Sequence, residues 1–223
     1  MTHYQELLDE LNLLAEEEYC SFHKKLLKNE SLNVLGVRIP ALRKIAKKYV
    51  NLIDELMGFP DEYYEVTFIK VTAVSFLRYE EFIRYVDRCV VLLDNWATCD
   101  CFAPKCIAGH KQDFLSYIEK YLSHGGEFYQ RFALTTLLHF YVEENYLSLI
   151  FEKVSSANNR LYYVHMASAW LVAETLVKFY DTAKNFLLKE TLDIKTHNKA
   201  IQKAVESYRL TAEQKNILKG MKR

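Results

Sequence analysis

Six glycines and three prolines are all the backbone punctuation in 223 residues, and that scarcity restricts the fold more than any other feature. A strand-rich chain needs a turn about every 8–12 residues, and glycine and proline supply the backbone angles those turns demand. Half of the residues are hydrophobic, so apolar surface for a core is ample, but it must be reached through long segments joined by few breaks. The expected class is all-α.

The breaks divide the chain into helical stretches. Residues 4–28 read as helix, broken near Glu18. Gly36-Val37-Arg38-Ile39-Pro40 interrupts the pattern, and Pro40 suits the first turn of a helix running to about Tyr49. Gly58-Phe59-Pro60 leads to a helix over about 61–77 and another over 80–93. In the second, Phe82, Val86, Cys89 and Leu93 follow the spacing of a buried stripe. Helices are expected near 111–122, 127–143 and 145–154, separated by His124-Gly125-Gly126 and Glu143-Glu144-Asn145. Ser155-Ser156-Ala157-Asn158-Asn159 reads as a loop, with Asn158 or Asn159 capping the helix that follows. That helix carries Tyr162, Met166, Ala169 and Ala173 on one face and Tyr163, Ala167, Trp170 and Val177 on another, so it should lie between neighbours. Helices near 181–190, 195–207 and 211–219 finish the chain. No linker marks a second domain, and residues 1–223 are expected to form one. About a dozen helices in successive pairs, each burying a face against the next, describe an α-solenoid.

Charge is balanced, 29 basic against 29 acidic residues, but unevenly distributed. Glu6, Asp9, Glu10, Glu16, Glu17 and Glu18 make the N-terminal stretch acidic, whereas Lys195, Lys199, Lys203, Arg209, Lys215, Lys219, Lys222 and Arg223 make the C-terminal stretch basic. Arg38, Arg43, Lys44, Lys47 and Lys48 add positive charge around the Pro40 helix. Such asymmetry permits a cationic groove on a neutral chain. No basic start with an apolar run and cleavage site is present, nor are eighteen unbroken apolar residues, so a soluble, cytoplasmic chain is expected. Five cysteines, an odd number, fit reduced thiols.

One stretch looks like a site. In Asn95-Trp96-Ala97-Thr98-Cys99-Asp100, Trp96 and Asp100 are four residues apart and share a face if the segment is helical; Asp94 and Asn95 suit its N-cap, and Pro104 ends it. Arg131 follows 35 residues after Trp96, and Trp170 follows 39 residues after Arg131. Both intervals approach the period of a two-helix repeat, so these residues would recur along one groove. Cys99, Cys101, Cys106 and His110 lack the paired spacing of a zinc site, and no metal is expected. Nothing in the sequence brings Cys106 to His139 or His165 as a thiol nucleophile and base.

From Gly36 to Lys203, these motifs resemble the DNA alkylation repair family of HEAT-like-repeat glycosylases, the AlkD type. The likeness rests on Trp96 and Asp100, Gln130-Arg131, the helix beginning Tyr162-Tyr163-Val164-His165 that carries Trp170, and the Lys199-Ala200-Ile201-Gln202-Lys203 segment. It implies a right-handed α-solenoid of HEAT-like helix pairs with a concave DNA-binding groove. Trp96, Asp100 and Trp170 would fall on the catalytic aromatics and carboxylate, and Arg131 on an arginine that contacts the DNA backbone. Arg38, Arg43, Lys199 and Lys203 are further candidates for phosphate contact. Asn95 and Ala97 stand where the family's best-known member has a second Trp and a second Asp, and Arg38 replaces a groove glutamine.

The implied reaction is excision of cationic N3- or N7-alkylated purines from double-stranded DNA. Such a base departs neutral, so no strong general acid and no cofactor are required. An anion that stabilises charge developing on the sugar and orients water is what helps, and Asp100 is the candidate. Trp96 and Trp170 would meet the cationic nucleotide with π faces, worth roughly 0.5–2 kcal/mol per contact. No base-flipping pocket is expected, and the chain is expected to act as a monomer. Two alternatives use the same features: a non-catalytic relative that binds branched or damaged DNA, and a helical scaffold for a protein partner.

Overall fold

A computed structural model describes residues 2–27 and 31–223, and among these it is helical throughout, without a strand. The chain forms two compact units. The first, through Gly109, contains α1 (His3–Leu14), α2 (Glu17–Leu27), α3 (Ile39–Lys48), α4 (Ile53–Leu56), α5 (Tyr64–Val74), α6 (Tyr79–Val91) and α7 (Trp96–Cys101). The second, His110–Arg223, contains α8 (Lys111–Leu122), α9 (Glu127–Phe140), α10 (Leu147–Ser156), α11 (Tyr162–Lys178), α12 (Tyr180–Leu188), α13 (Ile194–Glu206) and α14 (Ala212–Gly220). Among the described residues no helix is long and apolar enough to cross a membrane.

In the first unit α5 is the central helix. It packs on α3, α4, α6 and α7, and all of its residues except Thr67 are buried. Leu42 and Ile45 of α3 and Phe68 and Ile69 of α5 are at most 1% exposed, each side chain contributing roughly 2 kcal/mol as an upper figure for burial. The expected stripe on α6 is buried, from Phe82 to Leu93. The acidic N-terminal stretch is partly spent in this unit: Glu10 pairs with Lys48 and Glu16 with Arg38, while Glu55 of α4 pairs with His3.

In the second unit alternate helices pack side by side, α9 on α11 and α11 on α13, with α8 against α9 and α12 against α11. This places α11 between neighbours, as its apolar circumference requires, and Val164, Ser168, Leu171 and Thr175 are fully buried. Tyr163, Met166, Trp170, Glu174 and Val177 are only half-buried. Their spacing of three and four residues marks a single partly open face.

Several boundaries differ from the sequence expectation. The first helix breaks at Ala15 and Glu16, close to the expected Glu18, where the Glu16 N–H leaves the helix for the Gly36 carbonyl; Lys28, its expected end, lies outside the described residues. The helix expected from 61 starts at Tyr64, since Tyr63 is extended and the Tyr64 N–H goes to the Asn33 carbonyl. Ser155 and Ser156, expected in a loop, continue α10. Neither asparagine caps α11. Its N-cap is Leu161, and Asn159 instead donates to the Val154 carbonyl.

Candidate functional site

The six residues of α7 are set by Asn95. Its side-chain oxygen accepts from the Thr98 N–H at 2.9 Å, and its amide nitrogen donates to Thr98 Oγ1 and Asp94 Oδ1. Ala97, Thr98 and Cys99 then turn inward and are buried, which leaves Trp96 and Asp100, one turn apart, on a half-buried edge. The indole N–H of Trp96 donates to the Leu26 carbonyl at 3.2 Å, and the ring packs on the core of the first unit, so it is held in one orientation. A backbone acceptor such as Leu26 O carries no residue identity, and nothing in the sequence signals it.

Arg43 of α3 joins the same corner. It is exposed, and its Nη2 donates to Cys101 Sγ at 3.8 Å. Burial pushes the Cys101 thiol above its ordinary range, with Arg43 opposing the rise and the charge of Asp100 adding to it. A guanidinium, a carboxylate and an anchored indole are therefore presented by two helices of one unit. Arg38 is engaged differently. Its Nε and Nη2 donate to both oxygens of Glu16 at 2.7 Å, and its guanidinium lies 5.0 Å from the Tyr19 ring centre. Its charge is offset before any ligand arrives.

In the second unit Arg131 is 5% exposed, and its Nη1 donates to the Tyr163 carbonyl at 2.8 Å. The guanidinium lies 5.6 Å from the Tyr163 ring centre. Glu127, one turn earlier on α9, accepts from the Tyr163 N–H at 2.6 Å. Together they fasten α9 to the first turn of α11 and satisfy an orphan helix donor that Asn158 and Asn159 leave alone. Arg131 thus has a structural duty that its sequence position did not reveal, and any phosphate contact would be additional to it.

Trp170 meets His139 edge-on, with ring centres 6.4 Å apart. With Lys203 and the Glu174–Arg209 ion pair it lines a hollow of about 170 Å³ between α11 and α13. Lys199, one turn before Lys203, donates to Gln202 at 3.0 Å. The structure therefore groups Trp96, Asp100 and Arg43 in one unit and Trp170 with Lys203 in the other.

Among the described residues no group of three His, Cys, Asp or Glu is arranged to hold a metal. Cys99 is fully buried, and burial pushes the Cys106 thiol up to about 11, so at neutral pH it stays protonated and is a poor nucleophile.

Compared with known families, residues 5–208 match the model described as DNA alkylation repair enzyme. No curated protein matches the chain.

Proposed function

Because the chain belongs to the DNA alkylation repair enzyme family, we propose that it is a monofunctional DNA glycosylase that hydrolyses the glycosidic bond of cationic N3- or N7-alkylated purines in duplex DNA. The observation that carries this is the capped α7, which presents Trp96 and Asp100 on one edge beside Arg43. As the bond from C1′ to the base breaks, its electron pair neutralises the cationic purine and positive charge develops on the sugar. Asp100 stabilises that charge and accepts the proton of the attacking water, while Trp96 packs against the sugar. Trp170 is assigned to the same reaction by the family pattern. On this reading the helix pairs form one monomeric right-handed solenoid domain over residues 1–223, with a concave groove for DNA and no base-flipping pocket.

The test is incubation with duplex DNA carrying 7-methylguanine, followed by measurement of free base. Release above that of the Asp100→Asn variant is expected. Binding without release would favour a non-catalytic DNA-binding relative. Absence of DNA binding overturns both.

Phosphate contact by Arg43, Lys199, Lys203, Arg38 and Arg131 makes affinity depend on salt, because each neutralised phosphate releases counterions. Arg43→Ala and Lys203→Ala should each weaken binding and reduce the slope of log K against log salt by about 0.9. Arg38→Ala should change the slope less, since phosphate must displace Glu16 first. Arg131→Ala should weaken binding and also lower the melting temperature, because the tie to Tyr163 is lost. A slope unchanged in the Arg43 and Lys203 variants would remove both from the interface.

A further inference from the structure

A cavity of about 790 Å³ in the second unit lies outside the Trp170 hollow and has no part in the chemistry assigned to Asp100. Its walls are the turn between α10 and α11, the first turns of α11, and the N-terminal half of α13. Arg160, Lys195 and Lys199 bring three positive charges to it from two separate segments. Among the described residues none of the three pairs with a carboxylate, whereas Arg38, Lys153, Arg209 and Arg223 all do. The one acid in the lining, Asp193, is already engaged as the N-cap of α13, accepting from the Thr196 N–H at 3.0 Å. Tyr162, 56% exposed, and Met166 give the same cavity an aromatic and a thioether surface.

The walls are fixed without a ligand. His165 Nδ1 and Thr196 Oγ1, 2.9 Å apart, join α11 to α13. The Asn158 N–H donates to Gln130 at 2.9 Å and the Leu161 N–H to the Asn158 carbonyl, which orders the turn that carries Arg160. A preformed site saves the cost of ordering on binding. Three cations, of which only Lys199 has a described partner, the neutral Gln202, suit a phosphate, but the volume far exceeds what a bare phosphate fills and falls in the range of small-molecule sites.

We propose that this cavity binds a single nucleotide unit, with Arg160, Lys195 and Lys199 on its phosphate and Tyr162 against its base. The nucleotide is either free or extruded from a DNA strand at a position other than the alkylated purine, whose own excision is assigned no base-flipping pocket. The inference depends on the glycosylase reading only for the second source.

Titration calorimetry of the full chain with dAMP, deoxyadenosine and inorganic phosphate tests the free source. Binding to a duplex with a one-nucleotide bulge, against the same duplex fully paired, tests the extruded source. The comparison protein is Arg160→Gln/Lys195→Gln, both exposed positions whose replacement leaves the core intact. If the free nucleotide is the ligand, dAMP binds at least about 10-fold more tightly than either fragment, and the double variant loses that advantage. If the extruded nucleotide is the ligand, the preference for the bulged duplex is lost in the double variant while paired-duplex binding and 7-methylguanine release persist. Neither saturable dAMP binding nor a bulge preference sensitive to the two substitutions would overturn the proposal, whatever the glycosylase assay gives.

Discussion

Replacing Asp100 by asparagine is expected to slow release of 7-methylguanine by about 100-fold or more, the scale for losing one preorganised electrostatic partner in a transition state. Asparagine nearly preserves the size of the side chain and most of its hydrogen-bonding capacity, so the substitution removes charge with little change in packing. Asp100 is half-buried on α7, whose position is set by Asn95 and by the inward side chains of Ala97, Thr98 and Cys99. None of these is disturbed. Affinity for unmodified duplex should change little, because the loss falls on charge that develops only as the glycosidic bond breaks. A cap or surface role for Asp100 makes the opposite demand: full activity, with at most about 1 kcal/mol of stability lost. Single-turnover release under saturating enzyme separates the two, provided wild type and variant show the same melting curve. Equal rates would sink the catalytic assignment.

The α7 corner was legible in the sequence because its determinants are local. An N-cap residue, a four-residue spacing and a proline beyond the end lie within ten residues and act through the backbone. The helical class was legible for a related reason, the lack of residues to build turns. What the sequence hid depends on contacts distant along the chain. Arg131 reads as a free cation, but the Tyr163 carbonyl, 32 residues on, takes one of its donors. Arg38 reads the same way, and Glu16 neutralises it from α2. Asn158 and Asn159 have the chemistry of helix caps, yet Glu127 from α9 supplies the acceptor that the first turn of α11 needs. The arginines and asparagines were therefore assigned by type, while their partners were decided by which helices pack together.

Glu65 attracts no attention in the sequence, and it should carry the largest stability effect of any single polar side chain in the first unit. It is fully buried on α5, and its two oxygens accept the backbone N–H groups of Leu35, Gly36 and Val37 at 3.0, 2.8 and 3.3 Å. Those three amides belong to a strap with no helical partner for them, and the strap cannot be reshaped easily. Gly36 has φ +95°, and a Cβ there would lie 2.5 Å from the Glu16 carbonyl oxygen. Glu65→Ala leaves the donors facing a cavity, and each unmet buried donor costs about 1–3 kcal/mol. Partial relief by entering water makes about 3–5 kcal/mol the expected total, a large share of the 5–15 kcal/mol typical of a folded domain. Glu65→Gln should cost less, about 1–3 kcal/mol, since its remaining oxygen can keep the Gly36 and Val37 amides while its new NH2 group opposes the Leu35 N–H. Val34 and Val37 of the strap belong to the core on which Trp96 packs, so the weakened strap should also loosen the indole. Urea unfolding of wild type and both variants, followed by tryptophan fluorescence, measures the order. If Glu65→Ala unfolds within about 0.5 kcal/mol of wild type, the range of a neutral surface substitution, the strap is held by its apolar contacts and the carboxylate is dispensable.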